Sequence, residues 1–332
     1  MQYFRSGFAH LLAKQSLGCS ATTLTCIGRI IDLQNSWELA YRNKMDNETN
    51  RRSFFVMSGM AILVAALPVR AQPRPIQFGL TPVFLTNDVE LLSKLSSYLS
   101  RAVGQEVQLV QRRTYEEITT LLLSGQLDAA WICGFPFAQY LQKLSIVAVP
   151  LWRHKPLYQS YLIVPNNRDV KSIDDLRGDI HAFSDPNSNS GYLVTAALLA
   201  EHKMRPDQFF KKTIFTYGHR NVVRAVASGL AQSGSVDGYV WDVMSELEPD
   251  LTAKTKIIRK SEELGFPPVA CLRSQSTSEN VRLVQAALLQ MKGDPEGQDV
   301  LKLLKLDGFE TEPESLYNTI VAKMELVRGL GT

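Results

Sequence analysis

From Ile76 onward the chain alternates short apolar runs with stretches in which apolar residues return every three or four positions. Ile76-Gln77-Phe78-Gly79 opens this series as a strand, and the segment from about Asp88 to Val103 puts Leu92, Leu95, Leu99 and Val103 on one helical face. Gly104 ends that helix, Val107 to Val110 reads as a strand, and Tyr115 to Ser124 reads as a helix closed by Gly125. Further strands are predicted at Ala129 to Cys133, Ile146 to Val149, Tyr161 to Val164, Ile180 to Phe183, Ile214 to Phe215, Gly238 to Val240, Ile257 to Ile258 and Val269 to Leu272. Repeated strand–helix–strand units predict an α/β protein with largely parallel sheets. The C-terminal part is different. It reads as helical, with capping boxes at Ser276-Thr277-Ser278-Glu279 and Thr311-Glu312-Pro313-Glu314, a helix end at Lys292-Gly293 and a frayed tail from Gly329. No Pro/Gly linker divides the chain, so two α/β lobes are expected to be joined by extended segments near Tyr158 to Tyr161 and Gly265 to Val269.

The front of the chain follows another pattern. Arg51-Arg52 precede an apolar stretch from Phe54 to Leu67, which ends at Pro68-Val69-Arg70-Ala71. A basic start, a short apolar core and a small-residue end form a secretory signal peptide, and the core is shorter than the roughly 20 residues a membrane helix requires. Residues 45–71 are therefore read as a signal peptide cleaved near Ala71, and the paired arginines before Ser53-Phe54-Phe55 resemble a twin-arginine signal, with the general secretory route as the alternative. Residues 1–44 fit neither a charged leader nor a folded domain. They are read as an upstream extension outside the native product, the alternative being a targeting or anchoring segment. This places the mature chain in the periplasm, not embedded in a membrane.

Composition changes meaning once the leader is set aside. The whole chain has 36 Lys and Arg against 33 Asp and Glu; eight of the bases and four of the acids lie before Gln72, leaving 28 against 29. A near-neutral mature chain argues against a nucleic-acid partner. Cys19 and Cys26 leave with the leader, so Cys133 and Cys271 remain, either as buried free thiols or as a pair.

Catalytic signatures are missing. There is no Gly-x-Ser-x-Gly elbow, Walker loop, Gly-x-Gly-x-x-Gly fingerprint, His-Glu-x-x-His helix or Cys-x-x-Cys pair, and the histidines never fall at metal-ligand spacing, so no metal or cofactor is expected. Glu116-Glu117 and Asp174-Asp175 read as solvated faces.

The most informative stretch is Ser184-Asp185-Pro186-Asn187-Ser188-Asn189-Ser190-Gly191-Tyr192, between a strand and an amphipathic helix reaching about His202. Small polar residues at a helix N-terminus offer free backbone N–H groups, hydroxyl donors and the positive end of the helix dipole, which together can hold an oxyanion without a cation. Read on its own residues, the same stretch equally suits an ordinary serine helix cap.

Asp185-Pro186-Asn187-Ser188-Asn189-Ser190-Gly191-Tyr192 resembles the Asp-Pro-x-Ser-x-Ser-Gly-Tyr signature of the phosphonate, phosphite and phosphate binding proteins of ABC importers. Other landmarks keep the same order: Phe78-Gly79-Leu80-Thr81-Pro82, Tyr115, Ser124-Gly125-Gln126-Leu127-Asp128-Ala129-Ala130, Tyr158-Gln159-Ser160-Tyr161, Ser172-Ile173-Asp174-Asp175-Leu176-Arg177-Gly178, His219 and Val236-Asp237-Gly238. The resemblance covers nearly all of residues 76–325. It implies a type II periplasmic binding fold, an α/β fold of two lobes with two crossing strands, here 76–160 plus 265–330 and 161–264, followed by a C-terminal helical segment. It also implies a small oxyanion held in the cleft, delivery to an ABC permease, and a monomer. By position, Ser188, Asn189, Ser190 and His219 contact the ligand from one side, and Tyr115, Thr81 and Phe84 from the other. Asp237 and Asp242 are weaker candidates, for an amine or a protonated oxygen.

Three departures from the family pattern stand out: Asn189 where Thr is frequent, Phe137 in Gly134-Phe135-Pro136-Phe137 where an aromatic hydroxyl is usual, and Cys133 at the end of a strand aimed at the cleft. Cys133 reads either as a small buried residue or as a thiolate ligand, as in arsenite-sensing relatives that partner a membrane histidine kinase. A sensor is thus one alternative to transport. An exported enzyme using His219 with Asp237 or Asp242 as a base pair is the other.

Overall fold

In the computed structural model residues 74–82 and 89–330 are described; the expectations for 1–44, the signal peptide and Phe84 lie outside them. Six strands form the first sheet in the order β13-β4-β12-β3-β1-β2: β1 Ile76–Leu80, β2 Val107–Gln111, β3 Ala129–Trp131, β4 Leu144–Leu151, β12 Val269–Leu272 and β13 Gly308–Glu310. The second sheet has five, in the order β10-β6-β9-β7-β8: β6 Ser160–Pro165, β7 Ile180–Phe183, β8 Lys212–Phe215, β9 Ser233–Asp237 and β10 Thr255–Lys260. Between the sheets run two short strands, β5 Leu157–Tyr158 and β11 Leu264–Gly265, paired antiparallel. These are the two crossings expected from the extended segments, and they define a two-lobed α/β architecture.

The sheets are mixed rather than largely parallel. β1 is parallel to β2 and β3, and β7 to β8 and β9, whereas β12 and β13 in one lobe and β6 and β10 in the other pair antiparallel. The reason is topological: β6 and β12 follow the two crossings and so enter their sheets from the hinge side, against the direction of the strand–helix–strand units they pair with. Gly79 on β1 can only be glycine, because a Cβ there would lie 2.7 Å from Leu127 Cδ1 and 2.8 Å from Ala130 Cβ.

Helix α1, Val89–Val103, buries Leu95, Leu99 and Val103 as expected, with Leu92 at the border, and adds Leu91 and Tyr98 to the same face. Helix α2, Tyr115–Leu123, begins with a capping box: Thr114 Oγ1 accepts the Glu117 N–H at 3.2 Å and the Glu117 carboxylate accepts the Thr114 N–H at 3.0 Å. Helix α3, Gly134–Gln139, follows β3 at once. In the second lobe, Asn189–Leu193 is a single π turn continuing into α4, Val194–Glu201. Then come α5, His219–Ala227, and α6, Gly238–Leu247.

Gly238 to Val240, expected as a strand, is the first turn of α6, and the strand is the preceding β9. Asp237 caps the helix, its Oδ1 accepting the N–H groups of Tyr239 at 2.9 Å and Val240 at 3.3 Å. The C-terminal helices are α7 Glu279–Gln290, α8 Pro295–Leu304 and α9 Asn318–Arg328, with β13 inserted between the last two. Their caps also differ from expectation. Ser278, not Ser276, caps α7; Asp294 caps α8; and no side chain caps the helical turn at Glu314–Tyr317 that precedes α9. Helix α9 packs against both α3 of the first lobe and α4 of the second.

Candidate functional site

The end of β7 delivers the chain into the Ser184–Ser190 loop. Ser188, with extended backbone, caps the helix by accepting the Gly191 N–H on Oγ at 3.0 Å, and the Asp185 carboxylate accepts the Asn187 N–H at 2.8 Å. The π turn widens the first helical turn, which brings Asn189, Ser190 and their N–H groups to the cleft; such turns gather at functional sites. Its tightness depends on Gly191, where a Cβ would fall 1.9 Å from Ser184 Oγ. The crossing strand β5 and the start of β6 hold the loop: Ser160 Oγ donates to Ser190 O at 2.6 Å, and the Asn189 amide donates to the Tyr158 hydroxyl at 2.9 Å. Ser188, Asn189 and Ser190 are buried, and Ser184 Oγ and Asn189 Oδ1 have no hydrogen-bond partner among the described residues. Buried polar atoms without partners are uncommon and mark a place where a ligand can complete the network.

Tyr115, His219 and Asp237 meet this loop. His219 Nδ1 accepts the backbone N–H of Asp237 at 3.0 Å, and Nε2 lies 3.2 Å from the Tyr115 hydroxyl. Burial pushes the His219 pKa down to about 3, so the ring is neutral. With Nδ1 accepting, the single ring proton sits on Nε2 and is donated to the Tyr115 oxygen. The Tyr115 O–H is therefore left to donate elsewhere, and burial holds that phenol protonated. Asp237 Oδ2 lies 3.4 Å from Ser190 Oγ, and burial lifts its pKa to about 7. The histidine–carboxylate base pair imagined for an enzyme is not formed, because it is the Asp237 backbone that meets the ring while its carboxylate caps α6.

Cys133 closes the site from the first lobe. Its Sγ accepts the Asn189 N–H at 3.2 Å, and burial pushes its thiol up to about 12, so it is a neutral acceptor rather than a thiolate. Cys133 and Cys271 are both free and buried.

Other expected contacts lie elsewhere. Thr81 is buried beside the site, but its hydroxyl donates to Trp131 O at 3.1 Å. Phe137 packs into the core against Tyr317, ring centroids 4.7 Å apart. Asp242 pairs with Arg153 at 3.0 Å and accepts the Tyr161 hydroxyl at 3.2 Å in a separate groove bounded by Trp152 and His154. Five residues along α6 turn it about 140° from Asp237, so two acids close in sequence cannot share a face. Tyr158, Ser160 and Asp185 belong to the site network without having been singled out; only their place in the family landmarks flagged them.

The assembled site is a buried set of neutral donors with two carboxyl groups, Asp237 and Asp185, and no lysine or arginine is hydrogen-bonded to Ser188, Asn189, Ser190, Tyr115, His219, Asp185 or Asp237 among the described residues. No group of three or more His, Cys, Asp or Glu side chains suited to a metal occurs there, and no described helix is long and apolar enough to cross a membrane. Two lobes with an anion-suited loop at their junction define a solute-binding protein. Residues 78–317 match the family model described as the periplasmic substrate-binding protein of phosphonate ABC transporters, and the chain belongs to that family. It is 24% identical over 220 residues to a probable ABC transporter phosphite-binding protein of Prochlorococcus marinus, covering 63% of this chain and 73% of that one. With a phosphate-import protein of Mycolicibacterium smegmatis it shares 26% identity over 177 residues, 49% of this chain and 54% of the relative. Two solved structures share the fold: a binding component of a Pseudomonas aeruginosa phosphonate transporter (TM-score 0.71, 20% identity, 78% of this chain and 88% of that one) and the P. marinus phosphite-binding protein with methylphosphonate (TM-score 0.67, 19% identity, 78% and 99%).

Proposed function

We propose that this protein captures a small phosphorus oxyanion (a phosphonate, phosphite or phosphate) as a species of no more than one net negative charge, and passes it unaltered to its permease. The observation that carries this reading is the Ser188-Asn189-Ser190 turn: buried at a helix N-terminus, faced by Tyr115 and neutral His219, and accompanied by the Asp237 carboxylate in place of any cation. Donors from the turn and the Tyr115 hydroxyl suit oxygens of the ligand, whereas a dianion would enter a buried site containing a carboxylate and nothing to balance it. Asp237 and Asn189 Oδ1 instead suit a ligand that brings a proton or an ammonium group. The lobes 76–160 plus 265–330 and 161–264 close as a monomer around it, and the leader at 45–71 accounts for a periplasmic location.

Thermal-shift screening and calorimetry against phosphate, phosphite, methylphosphonate, aminoethylphosphonate, sulfate and arsenite test the reading. Stabilisation by at least one phosphorus oxyanion, weakening as the pH rises past the ionisation that takes that ligand from one net negative charge to two, is expected. No stabilisation by any of them sinks it. Arsenite binding that disappears in Cys133→Ala would favour the sensor alternative, although the neutral, engaged thiol is poorly prepared for it.

A further inference from the structure

Asp185 opens the loop, yet Ser188 already caps the loop's helix, and the Asp185 side chain reaches out of its own lobe. It is 1% exposed. Its Oδ1 closes a local turn on Asn187 N–H, while its Oδ2 lies 3.3 Å from the backbone N of Tyr115, the first residue of α2 on the opposite side of the cleft. Thr114 serves the Glu117 N–H at the third position of that helix, which leaves the Tyr115 N–H open to an outside acceptor. A carboxylate from the second lobe thus sits at the positive end of a nine-residue helix of the first lobe. No lysine or arginine pairs with Asp185 among the described residues, and burial, with Glu116 nearby, raises its pKa; the helix end and the two N–H groups offset that burial only in part, and the first of these exists only while the lobes are together.

We propose that Asp185 is a cross-cleft clasp: a positioning residue that holds the closed state by capping α2 from the opposing lobe, without touching the ligand. This rests on the cleft being the ligand site. Because the clasp does not see the ligand, weakening it must speed release of every ligand by the same factor.

Asp185→Asn is the discriminating variant, since it keeps the acceptor for Asn187 N–H and removes the charge; Asp185→Ser does the same should the first not accumulate. Dissociation of methylphosphonate and of inorganic phosphate, followed by stopped flow, should accelerate about 3- to 30-fold and equally for both. In unliganded protein with Cys19 and Cys26 replaced by serine, spin labels at Arg112→Cys and Lys211→Cys, added selectively because Cys133 and Cys271 are buried, should report a wider separation in Asp185→Asn than in the parent. Unchanged dissociation rates and separations overturn the clasp. So does a factor that differs between the ligands, which would make Asp185 a ligand contact. If the parent binds neither probe, the ligand reading fails, and the label separation still decides the clasp.

Discussion

Asp237→Asn tests the electrostatics of the site most directly. Asp237 is fully enclosed, and burial lifts its pKa from 3.8 to about 7. A carboxyl whose folded pKa is raised binds a proton in the folded state that the unfolded chain has already released. Stability is therefore lost as pH rises from about 4, and the loss levels off above about 7. At 1.36 kcal/mol for each tenfold difference in proton affinity, the whole interval is worth about 4 kcal/mol. Asparagine keeps the acceptor for Tyr239 and Val240 and does not ionise, so its cap should survive. The variant should be close to the parent at pH 4 and more stable by about 4 kcal/mol at pH 8, which for a domain of this size is a melting-temperature gain of roughly 8 °C or more. Urea unfolding of both proteins, unliganded, at half-unit steps from pH 4 to 8 measures the difference. A stability gap that does not change with pH would refute the argument, because it would mean that Asp237 is ionised throughout and compensated. If Asp237 also accepts a proton or ammonium group from the ligand, the same variant will bind aminoethylphosphonate or monoanionic phosphite more weakly while unfolding later.

Three further expectations can be measured on the same protein. Tyr115→Phe removes the one phenolic O–H left free by the His219 tautomer and should weaken oxyanion binding by about 1–2 kcal/mol in calorimetry; unchanged affinity would show that the hydroxyl does not reach the ligand. Gly191→Ala should destabilise the protein by about 1–3 kcal/mol and abolish binding, with Ser184→Gly in the same chain restoring part of both, since Ser184 is what the new Cβ meets. With thiols pushed up to about 12 and about 11, Cys133 and Cys271 should ignore a thiol reagent at pH 8 in the native chain and both react after unfolding without reductant; a single reactive thiol, or none, would mean a bond that the native geometry lacks.

The loop at Ser184–Gly191 could be read from sequence because its chemistry is contiguous: small polar residues, a cap and the helix they open lie within a dozen positions. The capping box at Thr114 and Glu117 is equally local, whereas the Asp237 cap is hidden because Gly-Tyr-Val-Trp looks as much like a strand as a helix start. The surroundings of Phe137 and Asp242 are illegible for another reason. A motif places a residue near the site, but the helical turn decides what it touches: Phe137 meets Tyr317, and Asp242 meets Arg153 and Tyr161. Tyr158, Ser160 and Asp185 act across 30 to 70 residues of sequence, and nothing in a local pattern encodes such a meeting. The three-residue strand β13 is too short to leave a periodic signal at all.

Strand β12 has a consequence of a different kind. It lies between β3 and β4 in the first sheet, although residues 131 and 269, which pair there, are 138 positions apart. At a synthesis rate of about 5–20 residues per second, the slot stays empty for roughly 7–30 seconds after its first wall has emerged. Until it is filled, β3 and β4 each present an open edge to the slot. Arrest of synthesis between residues 151 and 269 should therefore leave not a half-active protein but an open sheet edge of the kind that invites pairing with other chains.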